Sequence, residues 1–195
     1  MMLFNQAAEN NKQVILEQLM DLLANSSQLL EIGSGTGQHA VHFAANLPHL
    51  TWHTSDLKDN HPSINAYIDD SGLGNVHRPF EFDVGENDWP ELPIDAVYTA
   101  NTAHIMQPHH VQRMMRLVAE HLLIGGVFCQ YGPFKVDGKF TTESNASFDA
   151  CLRAQGYGGY RDIEELQDWC ADSVLKLEKT IPMPANNFLL VWRKS

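Results

Sequence analysis

"LLEIGSGTGQHAVHFAANL", Leu29 to Leu47, is the stretch whose reading decides the fold. Leu29, Leu30 and Ile32 form a short apolar run of the kind that makes a buried strand. Gly33, Gly35 and Gly37 then occupy alternate positions, and Ala40, Phe43, Ala44 and Leu47 follow at helical spacing. A strand that turns through glycines into a helix is suited to hold a ligand. Glycine permits positive φ and close approach to the backbone, and the helix N-terminus offers unpaired N–H groups with partial positive charge. The next apolar run, "LTWHTSD", ends at Asp56, 56 − 37 = 19 residues after the last glycine. A carboxylate placed there can accept both hydroxyls of a ribose.

Upstream, Val14, Ile15, Leu19, Leu22 and Leu23 predict a helix, with Asn10 or Asn11 as its cap. Downstream, "HPSINAYIDDSG" reads as a short helix that starts near Pro62 and stops at Gly72. "NVHRPFEFDV" is a third strand. Pro79 cannot donate to a ladder, so this strand is expected at an edge. "DAVYTAN" and "GGVFCQYG" are the fourth and fifth strands, separated by a helical stripe of Val111, Met114, Met115, Val118 and Leu122. A helix around Asn145 to Ala154 follows, then one that Asp162 and Glu165 can cap. "VLKLEKTI" and "FLLVWRK" lie too close for an intervening helix and should pair antiparallel through "PMPANN". Strands alternating with helices predict an α/β fold, a mostly parallel sheet covered on both faces, with its ligand at the carboxyl ends of the central strands.

The 195 residues suit a single domain over 1–195, and 44% hydrophobic residues suffice for a core. A net charge of −11 repels phosphate backbones and anionic lipid, so neither nucleic acid nor a membrane surface is the expected partner. Cys129, Cys151 and Cys170 are scattered and odd in number, which argues against a disulfide framework and for a reducing, cytoplasmic setting. "MMLFNQAAENNK" does not read as a secretory signal, and no apolar run approaches the ~18 residues of a membrane span. His39 and His42 are three apart and His109 and His110 adjacent, but neither pair has a carboxylate at ligand spacing, so no metal is expected.

The loop itself selects among cofactors. A nicotinamide dinucleotide calls for G-x-G-x-x-G, and Gln38 stands at the sixth position. A Walker loop needs a lysine, yet no Lys or Arg occurs from Leu29 to Leu57. With Glu31 the string is E-x-G-x-G-x-G. It resembles the first motif of the class I S-adenosylmethionine (SAM) methyltransferases. The likeness implies a three-layer Rossmann-like fold with seven strands and an antiparallel C-terminal strand. It implies that SAM is held by Glu31, Gly33, Ser34, Gly35, Thr36, Gly37 and His39, with Asp56 and Leu57 at the ribose. Asp83 and Val84 then lie at the adenine, and Asn101 at the end of the fourth strand. "AAENNKQVILEQL", "YGPF", "SNASFDACLRA" and "PMPANN" make the match closer. Together with the loop they resemble, across essentially the whole chain, a family of small methyltransferase-like proteins catalogued as a domain of unknown function. Ile124 departs from that pattern, in which proline usually precedes the glycine pair.

On the acceptor side, "NTAHI" lacks the prolines and aromatic residue of the Asn/Asp-Pro-Pro-Tyr string used for amino methylation of bases or glutamine. His104 reads either as a base toward a hydroxyl, thiol or amine or as a hydrogen-bonded support for the loop. Tyr131 and Phe134 read as pocket wall or core, and Asn145, four residues before Asp149, as pocket residue or helix cap. Lys12, beside Asn10 and Asn11, is a candidate in a segment that can cover the site or, equally, a solvated helix start. Asn186 and Asn187 are candidates for orienting a polar acceptor or for closing their own turn. The expected activity is methyl transfer from SAM to a small molecule. The competing readings are a noncatalytic protein of the same fold that binds SAM or a partner, and a nicotinamide oxidoreductase. The acceptor and the oligomeric state are not encoded in any motif.

Overall fold

The computed structural model describes all 195 residues. Its strands are β1 (Gln28–Ile32), β2 (Thr51–Asp56), β3 (Val76–Glu81), β4 (Ala96–Ala100), β5 (Val127–Gly132), β6 (Leu175–Met183) and β7 (Asn187–Lys194). The helices are α1 (Gln6–Leu22), α2 (Gln38–Asn46), α3 (His61–Ser71), α4 (Pro108–His121), α5 (Glu143–Ala154) and α6 (Ile163–Trp169). The sheet has seven strands in the order β3-β2-β1-β4-β5-β7-β6. β1 and β2 pair in parallel, as do β2 and β3, whereas β7 runs antiparallel to both β5 and β6. This is the Rossmann-like methyltransferase fold, with Pro79 on an edge strand as expected. No helix is long and apolar enough to cross a membrane. The chain divides into two compact units, Met1–Tyr98 and Thr99–Ser195.

In the first unit, α2 packs against α1 and α3. Phe43 is the pivot of its core, with ring centroids 5.6 Å from Trp52 and 5.4 Å from Tyr98. Each such buried side chain contributes roughly 2–3 kcal/mol of transfer free energy. The cap of α1 differs from the expectation. Asn5, not Asn10 or Asn11, caps the helix, accepting from the amides of Ala7 and Ala8. The first turns of α1 carry no apolar stripe, so periodicity alone starts the helix too late. α3 has Pro62 in its first turn and ends at Gly72 in the left-handed conformation, φ 64°.

In the second unit, Phe128, Phe134 and Trp192 are fully buried, and the Trp192 indole N–H donates to Gln130 Oε1 at 3.3 Å. Lys194 donates to the carbonyl of Glu120 at the C-terminal end of α4, where a cation is favoured. α6 begins with the expected capping box of Asp162 and Glu165. The final hairpin is tighter than "PMPANN" suggests. Met183 pairs with Asn187, so only Pro184, Ala185 and Asn186 form the turn. Ala185 and Asn186 take positive φ of 59° and 58°, which closes a short loop, and Pro182 fits within β6 because that strand is at an edge.

Candidate functional site

The three glycines of the loop all have positive φ, at 74°, 58° and 98° for Gly33, Gly35 and Gly37. They do different work. A Cβ on Gly37 would stand 3.0 Å from Ile64 Cα, so this glycine lets α3 approach. A Cβ on Gly35 would meet nothing within 4 Å, so Gly35 presents bare backbone to open space. The loop is pinned at the end of β2. Gly33 and Ser34 donate to the carbonyl of Ser55, and Gly35 donates to Asp56 Oδ2 at 2.6 Å. Asp56 is 8% exposed, and its Oδ1 accepts from the Leu57 amide and the Asn60 side chain. A carboxylate has about four accepting positions. Three are used within the protein, so the spare capacity is one donor, not the two that a ribose offers. Leu57 lies exposed beside it. The first turn of α2 has no side-chain cap, and the loop is free of basic residues. A cradle of bare backbone, helix N-terminus and carboxylate can receive a nucleoside-type cofactor, and SAM, with one carboxylate and a ribose, fits it.

Glu31 lies under the loop and is fully buried. Its Oε2 accepts from Ser34 Oγ at 2.8 Å and from the Trp52 indole at 3.0 Å. Burial pushes its carboxyl up to about 7 from 4.5, against the pull of those two donors. A raised carboxyl binds its proton in the folded state before the unfolded chain does. Stability therefore falls as pH rises from about 4.5 to 7, by roughly 3 kcal/mol for a shift of this size. Glu31→Gln keeps an acceptor for both donors and removes the titration. Urea midpoints should coincide for wild type and variant near pH 5, and the variant should be the more stable at pH 8. Parallel pH profiles for the two proteins would refute the buried-proton assignment.

The start of the chain is tied to the same loop. Leu3 N–H donates to Ser63 Oγ, which in turn donates to the carbonyl of Thr36. Gln38 Oε1 accepts from the Asn5 amide and from Thr36 Oγ1, while its Nε2 donates to Glu9. Lys12 forms an ion pair with Glu9 and lines a cavity of about 350 Å³ between α1, α2 and α3. His39 is also spent internally. Its Nε2 faces Asn11 Oδ1 at 2.7 Å and the Ala8 carbonyl at 3.2 Å, and its Nδ1 faces the Tyr98 hydroxyl at 3.2 Å. Burial lowers its pKa to about 4, so the neutral ring donates through Nε2 and accepts through Nδ1. At the end of β3, Asp83 Oδ1 accepts from Gly85 N–H within its own turn, and Val84 is buried.

In the second unit, Asn101 follows β4 with φ 56°, a left-handed conformation tolerated by asparagine and frequent at functional turns. Its amide donates to the carbonyl of Tyr131, itself buried, and Phe134 has no exposure at all. His104 is 6% exposed and its ring makes no hydrogen bond to the protein, and burial lowers its pKa to about 4. Its ring centroid lies 6.1 Å from Phe148 and 5.9 Å from Tyr160. Asn145 is not the helix cap, since Thr142 caps α5. The Asn145 amide instead donates to Thr141 Oγ1 and to the carbonyl of Asn186, fastening α5 to the final hairpin. Asn187 donates to the carbonyl of Pro184 and so closes its own turn. Asn186 is brought beside Asn145 through its main chain.

Residues 2–194 match the model of a family described as protein of unknown function, DUF938. The chain belongs to that family. Several solved structures share its fold. An O-methyltransferase family protein from Burkholderia thailandensis superposes with a TM-score of 0.85 at 17% identity, over 98% of this chain and 58% of that one. Human N-acetylserotonin methyltransferase, solved in complex with SAM, gives 0.82 at 13% identity, over 97% and 53%. An O-methyltransferase family 2 protein from Planctomyces limnophilus, solved with apigenin, gives 0.77 at 16% identity, over 95% and 62%. The chain spans little more than half the length of these relatives.

Three members of the two clusters escaped the sequence reading. Gln38 and Ser63 anchor the N-terminal segment, and Tyr160 packs on His104. A signal for the last existed in "GYGGY", where paired glycines precede an aromatic residue and permit a close backbone approach.

Proposed function

We propose that this DUF938 chain is a SAM-dependent methyltransferase acting on a small molecule. The observation that carries the proposal is Gly35: left-handed, held by Asp56, and open where a side chain would project. The complexes of structural relatives with SAM and with apigenin support it. SAM supplies, when bound, an electrophilic methyl group on a sulfonium centre. Asp56 Oδ2 has room for one ribose hydroxyl, and Asp83, with one oxygen bonded in its turn, can accept from an adenine amino group. The N-terminus of α2, whose cap residue is a glycine without a side chain, suits a carboxylate. The neutral ring of His104 can accept a proton at a ring nitrogen from an acceptor hydroxyl. Three free cysteines and an acidic surface fit a cytoplasmic enzyme with a small-molecule substrate.

Thermal shifts with SAM, S-adenosylhomocysteine and NAD test this reading. The first two should raise the melting temperature and NAD should not. Stabilisation by NAD alone would point to an oxidoreductase, and no response to any of them to a noncatalytic role. Asp56→Ala should weaken S-adenosylhomocysteine by roughly 1.5–3 kcal/mol, the worth of charge-assisted hydrogen bonds. Asp83→Ala should cost less, because apolar contacts around the adenine survive. Titration calorimetry measures both. An Asp56→Ala protein that binds like wild type removes Asp56 from the cofactor.

A further inference from the structure

We propose that the cavity between α1, α2 and α3 is a ligand site in its own right, which takes a small monocarboxylate with an apolar body. The argument stands on the first unit alone and does not depend on what the glycine loop binds.

The cavity is a product of helical spacing. In α2, Ala40, Phe43 and Ala44 are buried toward the sheet, where Phe43 packs on Trp52 and Tyr98. A second stripe of the same helix, Gln38, Val41, His42 and Ala45, recurs at three- and four-residue steps and forms the cavity floor. α1 and α3 flank α2 and supply two walls, Glu9 and Lys12 from one, Tyr67 and Asp70 from the other. The beginning of the chain makes the last wall. Leu3 N–H on Ser63 Oγ and Asn5 N–H on Gln38 Oε1 tie it to α3 and α2. Met2 and Phe4, alternating with Leu3, line the cavity while remaining 42% and 63% exposed. The volume of about 350 Å³ suits a small molecule.

The polar groups of the floor and of the α1 wall select the head of the ligand. His42 Nε2 is buried and has no hydrogen-bond partner in the protein. Buried polar atoms are nearly always satisfied, so this nitrogen calls for a partner from the cavity. Burial lowers the pKa of the ring below its ordinary 6.5, so the ring is neutral at pH 7 and can carry its proton at Nε2. Lys12 spends one of its three N–H donors on Glu9 Oε1, and Gln38 Nε2 one of its two on Glu9 Oε2. Glu9 is thereby bonded at both oxygens. At His42 the Lys12 ammonium outweighs the Glu9 carboxylate, because it lowers the pKa of the ring more than Glu9 raises it. The local potential is positive there although the whole chain carries −11. A carboxylate can accept from His42, Lys12 and Gln38 together. The rest of the cavity selects the body. Val41, Ala45 and Leu73 are aliphatic, and Phe4 and Tyr67 offer ring surface. Asp70, exposed and without an ion pair, opposes a second anionic group.

Ligand-observed NMR on the full-length protein tests the assignment. The probes are 3-phenylpropionate, its neutral and cationic counterparts 3-phenyl-1-propanol and 3-phenylpropylamine, and the dianion glutarate. 3-Phenylpropionate should bind about tenfold more tightly than each of the others, the effect of one charge-assisted hydrogen bond. Lys12→Met and His42→Phe should each weaken 3-phenylpropionate by a similar factor and leave 3-phenyl-1-propanol nearly unchanged, whereas a merely structural role would move both ligands together. Ala45→Trp replaces an exposed residue of the floor and fills the cavity, so it should remove binding of both in a protein that still melts cooperatively. Failure of 3-phenylpropionate to bind, tighter binding of the amine, or undiminished binding to the Ala45→Trp protein overturns the proposal. Displacement of 3-phenylpropionate by S-adenosylhomocysteine also overturns it, by moving the carboxylate to the glycine loop.

Discussion

Gly35→Val should lower affinity for S-adenosylhomocysteine by more than a hundredfold in a protein that still folds. The two halves of this expectation have separate causes. A branched side chain at φ 58° is strained, which costs roughly 1–2 kcal/mol of stability. It collides with nothing in the protein, because the space beyond Gly35 is open for 4 Å. That same space is where the cofactor is proposed to meet bare backbone, and valine fills it. Gly37→Val supplies the contrast. There the new side chain drives into the backbone of Ile64, 3.0 Å from where its Cβ would stand, so stability should suffer first. Calorimetric titration and melting curves of both variants separate the effects. A folded Gly35→Val protein with undiminished affinity rules out the loop as the binding site.

Gly158→Ala should be among the most destabilising single-methyl changes available in the second unit. An added Cβ would lie 1.9 Å from the carbonyl oxygen of Met106 and 2.9 Å from its carbon. Both are main-chain atoms, so no side chain can swing away. Overpacking of this severity costs roughly 3 kcal/mol or more, which for a chain of this size lowers the melting temperature by about 6–12 °C. Gly138→Ala is the control: its φ is also positive, at 72°, but nothing lies within 4 Å, and only the modest strain of the left-handed region applies. A Gly158→Ala protein that melts with wild type contradicts the close packing of residues 156–160 on residues 104–107. The same variant should disturb His104, whose carbonyl is held by the next glycine.

The order of strands and helices was legible because apolar periodicity and the glycine turn are local signals. Leu29 to Leu47 carries its own strand, turn and helix, and Pro79 announces an edge without reference to any neighbour. The start of α1 was not legible, since Gln6 to Asn10 include no large apolar residue and the capping bonds of Asn5 depend on a single side chain. In the candidate site, the glycine loop was readable for the same local reason. The acceptor side was not. Whether Asn187 faces a ligand or closes its own turn depends on a hydrogen bond to Pro184 that composition does not encode. That the Tyr160 ring packs on His104 is likewise a long-range contact that no local signal encodes. The spare capacity of Asp56 was overstated because the amides of Gly35 and Leu57 and the Asn60 side chain already occupy it.

Gln38 has an evolutionary consequence. It stands where a nicotinamide-binding loop has its third glycine, so in the sequence pattern a single substitution separates the two fingerprints. Here that step has a cost behind the loop. Removing the Gln38 side chain breaks its bonds to the Asn5 amide, Thr36 and Glu9 together and leaves the beginning of α1 held by Leu3 on Ser63 and by His39 on Ala8 and Asn11. A glycine at this position therefore gives up two ties to the start of α1 at once. The residue that follows the glycine loop is thus constrained by its bonds to α1, whatever the loop binds.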